Sequence, residues 1–291
     1  MKVLVTGGNG QLGTELGFVL GAAGDDVLLA SSAELDVRDR DLVQQVVGAV
    51  APDVIIHGGA WTNVDGCELD PKRAYEVNAL GTRHVAEVAA RLGARVLYLS
   101  TDYVFDGRGS GAHGGGAYNE WDAPAPVSHY GRSKLGGEHE VQSILGPDAT
   151  IVRASWVVGR FGSNFVKTML RVAADPTKDV VTVVDDQRGC PTFTADLAPM
   201  LRRLAVARMP GIFHVSNEGP VSWWEFAREI FSAAGHDTGR VVAIPTSELQ
   251  PVRPAPRPAV SILDNAALRG SGLAPMPDWR PSLHAVVDAL S

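Results

Sequence analysis

The chain has 291 residues, 45% hydrophobic and 20% charged, the balance of a soluble globular protein with one large domain or a domain plus a smaller companion. Its formal net charge of −7 gives no basic footprint for nucleic acid, although a local arginine cluster can bind phosphate whatever the total charge. Cys67 and Cys190 are the only cysteines and stand far apart, which excludes a disulfide framework and a cysteine-rich metal site. The opening Met1-Lys2-Val3-Leu4-Val5-Thr6-Gly7 runs straight into a strand without the apolar stretch of a signal peptide, and no apolar run reaches the length of a membrane span. The default expectation is therefore a cytoplasmic protein with neither a membrane nor a nucleic-acid partner.

Short apolar runs alternate with helical patterns through the first half. A strand over 3–5 precedes a helix over 11–22, a strand over 27–30 a helix over 39–50, and a strand over 53–57 a long helix over 71–92. A strand over 95–100, a helix over 128–144 and a strand over 150–153 complete the series. Regular β-α-β alternation predicts an α/β fold, a Rossmann-type doubly wound parallel sheet that binds ligands at the carboxyl ends of its strands. Beyond residue 155 the rhythm loosens. Helices are expected near 164–174, 195–207 and 222–234, with short strands at 180–184, 212–215 and 241–244. The segment Pro251-Val252-Arg253-Pro254-Ala255-Pro256-Arg257-Pro258 must be extended, because proline blocks helix and ladder alike. The division drawn is a dinucleotide-binding domain over 1–155 and, over 156–291, a mixed region that completes the sheet edge and forms a smaller C-terminal substrate-binding lobe. Residues 107–116 contain six glycines and read as a mobile loop, with a plain insertion and a functional lid both open.

Gly7-Gly8-Asn9-Gly10-Gln11-Leu12-Gly13 follows the first strand and opens the first helix. Gly7, Gly10 and Gly13 let the backbone turn tightly and approach a pyrophosphate, which the helix N-terminus then attracts. The spacing is G-x-x-G-x-x-G. At the end of the second strand, Leu29-Ala30-Ser31-Ser32 lacks the carboxylate that holds a ribose hydroxyl in NAD-specific sites. Ser31 and Ser32 could hydrogen-bond a 2′-phosphate, but no arginine stands beside them, so NADPH is preferred with NADH open. Asp36-Val37 lies further on, where it could meet the adenine edge or serve as the capping region before Asp39.

Tyr130 and Lys134, in Tyr130-Gly131-Arg132-Ser133-Lys134, stand one helical turn apart and share a face. Of the five tyrosines, only Tyr130 has a lysine four residues later. A free phenol titrates near pH 10, and a neighbouring ammonium is expected to favour the phenolate, giving a proton donor that works near neutrality. Ser100-Thr101-Asp102 ends the fourth strand, and a hydroxyl there could hold a carbonyl oxygen together with Tyr130. Nucleotide loop, hydroxyl and Tyr/Lys pair together point to hydride transfer at a carbonyl or alcohol.

These features resemble the extended short-chain dehydrogenase/reductases. Within them the chain is similar, nearly end to end, to the dTDP-4-dehydrorhamnose reductase family. The likeness rests on the glycine loop, Pro52-Asp53-Val54-Ile55, Ala60-Trp61-Thr62-Asn63-Val64-Asp65, Asn78-Ala79, Ser100-Thr101-Asp102-Tyr103-Val104-Phe105, Tyr130 to Lys134 and Arg153-Ala154-Ser155-Trp156-Val157. Asn164-Phe165, Asp186-Gln187-Arg188-Gly189, Pro191-Thr192 and Arg257-Pro258 extend it to the C-terminal part. The resemblance implies an NADPH-dependent oxidoreductase that reduces C4 of a nucleotide-linked 4-keto-6-deoxysugar, dTDP-4-dehydro-L-rhamnose to dTDP-L-rhamnose, for cell-wall polysaccharide. It makes Tyr130 the general acid, Lys134 the group that binds the nicotinamide ribose and eases proton loss, and Thr101 the carbonyl's orienting hydroxyl. Asp102 and Trp156 would touch the sugar or its nucleotide. Gly10, Gln11 and Leu12 would lie on the pyrophosphate, Asp36 and Val37 on the adenosine, and Gly59, Ala60 and Trp61 near the cofactor's middle. Trp61 stands where the family often has His, and Gly58 and Gly59 where it often has Ala, which bears on cofactor fit and leaves the chemistry untouched. Some members are dimers with a magnesium ion held by acidic residues. A homodimer is therefore an expectation, but only Glu15 matches such a position, and no metal is assigned.

Arg253 and Arg257, in the proline-rich segment, are placed to pair with a diphosphate or simply to be solvated, and Arg257 is taken as substrate-binding. Trp223-Trp224 read as anchors of a helix to the core. The eight histidines show no metal spacing. Two rival readings remain: a reductase or epimerase of another nucleotide sugar, and a non-catalytic regulatory subunit like that of methionine adenosyltransferase. Intact Tyr130, Lys134 and Thr101 weigh against the second.

Overall fold

A computed structural model describes residues 1–109 and 116–290. Positions 110–115 of the glycine-rich loop expected at 107–116 lie outside the described residues. In chain order the first half comprises β1 (Lys2–Thr6), α1 (Gln11–Ala22), β2 (Asp26–Ala30), α2 (Arg40–Val50), β3 (Val54–His57), α3 (Val64–Leu69), α4 (Pro71–Tyr75), α5 (Gly81–Leu92), β4 (Arg95–Thr101), α6 (His129–Leu145) and β5 (Thr150–Ala154). The second half adds β6 (Val157–Val158), α7 (Phe165–Ala174), β7 (Val181–Val184), β8 (Arg188–Gly189), β9 (Thr192–Phe193), α8 (Thr194–Ala207), β10 (Gly211–His214), β11 (Val221–Ser222), α9 (Trp223–Ala233), β12 (Val241–Ile244), α10 (Ala266–Gly270) and α11 (Trp279–Leu290).

Six strands form one parallel sheet in the order β10-β5-β4-β3-β1-β2. Both faces are covered, which is why its strands read as near-continuous apolar runs. Val3 and Val5 point into a core with Leu16 and Leu20 of α1 and Leu197, Leu201 and Leu204 of α8. Leu4, between them, joins the opposite core with Val43 and Val47 of α2, Val85 of α5 and Val141 of α6. The Rossmann-type doubly wound parallel sheet expected from the alternation is the fold observed. Strand order reverses between β1 and β3, and the carboxyl ends of those strands open the crevice where such sheets take ligands.

Two expectations needed revision. The helix expected over 71–92 is broken: Glu76–Leu80 forms one π-helical turn between α4 and α5. Such turns recur at functional sites, and here the turn carries Asn78. The helices α3, α10 and α11 went unread. The α3 segment is short and holds Gly66, while α11 repeats Leu283, Val286, Val287 and Leu290 at helical spacing. The second half contributes β10 to the main sheet and α8 to its face. It also builds its own aromatic core from Phe193, Phe226, Phe231 and Trp279. No helix among the described residues is long and apolar enough to cross a membrane.

Candidate active site

The carboxyl ends of β1, β3, β4 and β5 open onto one cleft of about 720 Å³. At its floor, Gly7 has φ +71, and a Cβ there would stand 3.0 Å from the Gly58 and Gly59 backbone. A Cβ on Gly13 would meet the Gly7 carbonyl oxygen at 2.4 Å. Glycine is thus required at both positions by close backbone approach, and at Gly7 by conformation as well. The α1 N-cap is Gly10, with no side-chain cap and no acidic residue in the first turn, so the helix's free N–H groups suit an anion. Gln11 lends its backbone to that end; its side chain instead donates to the Val157 carbonyl at 2.9 Å. Together these features fit a dinucleotide pyrophosphate.

The loop after β3 is held from two sides. Thr6 Oγ1 accepts from Gly59 N at 3.0 Å and lies 2.6 Å from His57 Nδ1, while His57 Nε2 reaches Thr82 Oγ1 at 3.1 Å. Burial drops the His57 pKa to about 3, with the Lys134 charge adding to the effect, so the ring stays neutral as a structural link. Asn78 Oδ1 accepts from Trp61 N at 2.7 Å, and its amide donates to Trp61 O at 3.1 Å and to Ser133 Oγ at 2.9 Å. One buried side chain thereby joins the Gly59-Ala60-Trp61 loop to the helix that carries Tyr130.

Ser128 caps α6 by accepting from Gly131 N at 3.2 Å. The helix starts in close contact with the turn after β4: a Cβ on Gly131 would stand 2.1 Å from Tyr103 O. That contact brings the Tyr130 phenol within hydrogen-bonding reach of the Thr101 hydroxyl. Thr101 Oγ1 donates to Asp102 Oδ1 at 2.9 Å and accepts from Tyr103 N at 3.2 Å. Lys134 Nζ sits 4.2 Å from the centroid of the Tyr98 ring.

The electrostatics correct one sequence expectation. The Tyr130 phenol is pushed well above its ordinary value, first by burial and then by the Asp102 charge, with the Thr101 hydrogen bond pulling only partly back. Without cofactor, desolvation outweighs the expected help from an ammonium. Lys134 itself is lowered to about 7 by burial, against the pull of the Glu138 carboxylate. Behind them Glu138 forks onto Arg153, at 2.9 and 2.7 Å, and accepts from Ser100 Oγ at 2.5 Å.

The cleft gathers Gly7, Gly10, Gln11, Leu12, Gly13, Asp36, Val37, Gly59, Ala60, Trp61, Thr101, Asp102, Tyr130, Lys134 and Trp156. Arg257 is not in its lining. The guanidinium forks onto Asp65 at 2.7 and 2.9 Å and stands beside the Tyr103 phenol. Arg253 joins the same carboxylate at 3.3 Å. Trp156 adopts φ +46, rare for a bulky residue, and its indole stacks on Trp223 with centroids 3.6 Å apart and planes 9° apart. Trp223 lines the cleft too, a site position that sequence reading had assigned to packing. A second missed residue is Arg38. No arginine adjoins Ser31-Ser32 in sequence, yet the chain folds back to bring Arg38 to the cleft with Ser32 and Asp36. Its fork currently rests on Asp36, with Nε 3.0 Å from Oδ1.

Glu15 does not fit a magnesium site. Its carboxylate is taken by Arg160 Nη2 at 3.0 Å and by the Thr194 hydroxyl at 3.3 Å. Among the described residues no group of three or more His, Cys, Asp and Glu could hold a metal ion.

A pyrophosphate cradle and a buried phenol meeting at one sheet edge place a hydride carrier beside a proton donor, and the class of protein so defined is a Rossmann-type NAD(P)-dependent reductase. The model of the RmlD substrate binding domain family matches residues 1–291. A dTDP-4-dehydrorhamnose reductase of Streptomyces griseus is 41% identical over 292 residues, covering 99% of this chain and 93% of that protein. The spore coat polysaccharide biosynthesis protein SpsK of Bacillus subtilis is 41% identical over 282 residues, covering 97% and 95%. A crystal structure of dTDP-4-dehydrorhamnose reductase from Bacillus anthracis in complex with NADP superposes with a TM-score of 0.92 at 40% identity, covering 99% of this chain and 100% of that one. The chain belongs to the RmlD substrate binding domain family.

Proposed function

We propose that this protein reduces the C4 ketone of dTDP-4-dehydro-L-rhamnose to the alcohol of dTDP-L-rhamnose, using NADPH. The observation that carries the reading is the Tyr130 phenol and Thr101 hydroxyl meeting at the end of β4, in the same cleft as the glycine cradle. Bound NADPH supplies the hydride. Tyr130 gives its phenolic proton to the C4 oxygen while Thr101 orients that oxygen. Lys134 holds the nicotinamide ribose, and its ammonium eases proton loss from the phenol. Gly10, Gln11 and Leu12 bind the pyrophosphate, Asp36 and Val37 the adenosine, and Gly59, Ala60 and Trp61 the cofactor's middle. Asp102 and Trp156 face the sugar, and Arg257, freed from Asp65, pairs with the diphosphate. We take residues 1–155 as the cofactor-binding part and 156–291 as the part that completes the sheet and receives the sugar. The assembly proposed is a homodimer, supported by the family resemblance and by Phe18, 58% exposed, which stacks on the half-buried Phe161.

The test is NADPH oxidation with dTDP-4-dehydro-L-rhamnose generated in place by the upstream enzymes, with NMR of the product. Formation of dTDP-L-rhamnose is expected. No NADPH consumption with any keto sugar would return the protein to a binding role, and a different sugar product would make it another reductase or an epimerase. Light scattering in solution tests the dimer.

A further inference from the structure

After each reduction Tyr130 must be reprotonated before it can act again, and the surroundings restrict how. Lys134 is 3% exposed, with its ammonium over the Tyr98 ring, and burial leaves it charged only part of the time near pH 7. A second path is laid out through Thr101. Thr101 Oγ1 meets Tyr130, bonds Asp102 Oδ1 at 2.9 Å and accepts from Tyr103 N at 3.2 Å. Asp102 is 2% exposed, it lines the cleft, and its Oδ2 has no hydrogen-bond partner. A buried carboxylate with one oxygen unsolvated is costly as an anion and inexpensive as an acid.

We propose that Asp102 is the internal proton reservoir of this site, reloading Tyr130 through the Thr101 hydroxyl after each reduction. The inference rests on the reductase reading above. The protons balance as follows. Tyr130 loses its phenolic proton to the C4 oxygen and is left a phenolate. Thr101 Oγ1 passes its proton to the phenolate oxygen and takes one from the Asp102 carboxylic acid. One O–H bond breaks at Asp102 and one forms at Tyr130, with no change at Thr101. The Asp102 carboxylate then takes a proton from solvent in the cleft it lines once product has left. In both states the threonine oxygen keeps one donated and two accepted hydrogen bonds, because the Tyr103 N–H is constant and the other two exchange roles.

The titration of Asp102 agrees with this geometry. Burial raises its pKa to about 6, while the Ser261 and Thr101 hydroxyls and the backbone pull the other way. Around it stand Tyr103 on the same turn, Tyr130 on α6 and Cys190 between β8 and β9, while Arg257 on the proline-rich strap stands beyond it against Tyr103, its guanidinium held by Asp65. The carboxyl therefore holds its proton to a pH about two units higher than an ordinary aspartate does.

The experiment compares the first turnover with the steady state by stopped-flow NADPH absorbance, using full-length enzyme and dTDP-4-dehydro-L-rhamnose. In Asp102→Asn the ratio of steady-state to first-turnover rate is expected to fall by at least about tenfold, the low side of what positioned proton transfer contributes. The loss of kcat above about pH 6 should disappear with it. Thr101→Val should reproduce both changes and Thr101→Ser should restore the wild-type ratio, and the Thr101 pair carries the test if Asp102→Asn does not fold. A ratio unchanged in Asp102→Asn, even with both rates lowered, would overturn the reservoir and leave Asp102 a substrate contact. Wild-type enzyme that oxidises no NADPH with the keto sugar would overturn the reservoir and the reductase reading together.

Discussion

The two halves of the molecule place their site residues by different means. In the first half the backbone does it. Four adjacent strand ends converge, Gly7 lies against Gly58 and Gly59, and Gly131 lies against the Tyr103 carbonyl, so each functional group is set by a main-chain contact that a Cβ would break. In the second half side chains do it. Three two-stranded pairs surround an aromatic core, and the lobe lines the cleft with Trp156 and the Trp223 stacked on it, while Arg257 forks onto Asp65 outside the lining. A backbone-defined site is stiff and suits chemistry that demands fixed distances. Contacts between side chains can be exchanged for a ligand, which suits the part that must admit and release a sugar.

If that contrast holds, substitutions at positions set by main-chain contact should strike turnover or cofactor binding, and substitutions in the side-chain contacts of the second half, including the partners they meet in the first, should strike the sugar. The largest effect is expected from Tyr130→Phe. Loss of the general acid should cut kcat by about 10²–10⁴-fold, while NADPH affinity, measured by fluorescence titration, stays near wild type. Turnover within a few-fold of wild type would remove Tyr130 from the chemistry. Gly13→Ala comes next. Its new methyl would stand 2.4 Å from the Gly7 carbonyl oxygen, and the obstacle is backbone, which cannot rotate aside. NADPH should bind at least tenfold more weakly, roughly 1.4 kcal/mol, with the KM for sugar little changed. An unaltered NADPH affinity would break the claim that main-chain contact sets the cradle.

How much of this was legible follows the same division. Short continuous apolar runs, the glycine spacing and the Tyr-x-x-x-Lys step reveal the sheet, the cradle and the helix that carries Tyr130, because local backbone demands leave local sequence marks. The pairs that join the halves leave none. Nothing near Asp65 announces Arg257 nearly two hundred positions away, and Arg38 looks remote from Ser32 until the chain turns back. Trp223 carries an ordinary core signature, and only its stack on Trp156 reveals the cleft. Even in the first half, the π turn at Asn78 interrupts a pattern that reads as continuous helix, since its hydrogen bonds to Trp61 and Ser133 are tertiary. The Tyr130 titration was misjudged for a related reason: burial is a property of the whole fold, and here it exceeds the help of a neighbouring charge.

Trp223→Leu tests the second half directly. Removing the stack frees one face of Trp156, whose left-handed backbone is then held by fewer contacts. Aromatic pairs contribute about 0.5–1.5 kcal/mol beyond burial, so a rise in the KM for sugar of roughly two- to tenfold is expected, with NADPH affinity unchanged. A loss confined to NADPH affinity would contradict the division between the halves.

Asp65→Asn gives the smallest effect, and its sign is the informative part. Asp65 holds Arg257 by two short contacts and Arg253 by a longer one, and accepts from Ala255 N at 3.2 Å. Burial works against the Asp65 charge, but the Arg257 hydrogen bond, the Ala255 N–H and both guanidinium charges hold its pKa below the ordinary carboxylate value. The side chains of Arg257 and Asp65 remain 16% and 21% exposed, so water screens the pair and its net strength is modest. If Arg257 receives the substrate diphosphate, Asp65 competes for the same fork. Neutralising Asp65 removes the competitor, and the KM for the nucleotide sugar should fall by roughly two- to fivefold, matching the about 0.5–1 kcal/mol of such a pair. If the pair only fastens the proline-rich strap to α3, the same substitution loosens the strap and the KM rises. Initial-rate measurements at saturating NADPH distinguish the two directions, and a rise would remove Arg257 from the substrate site.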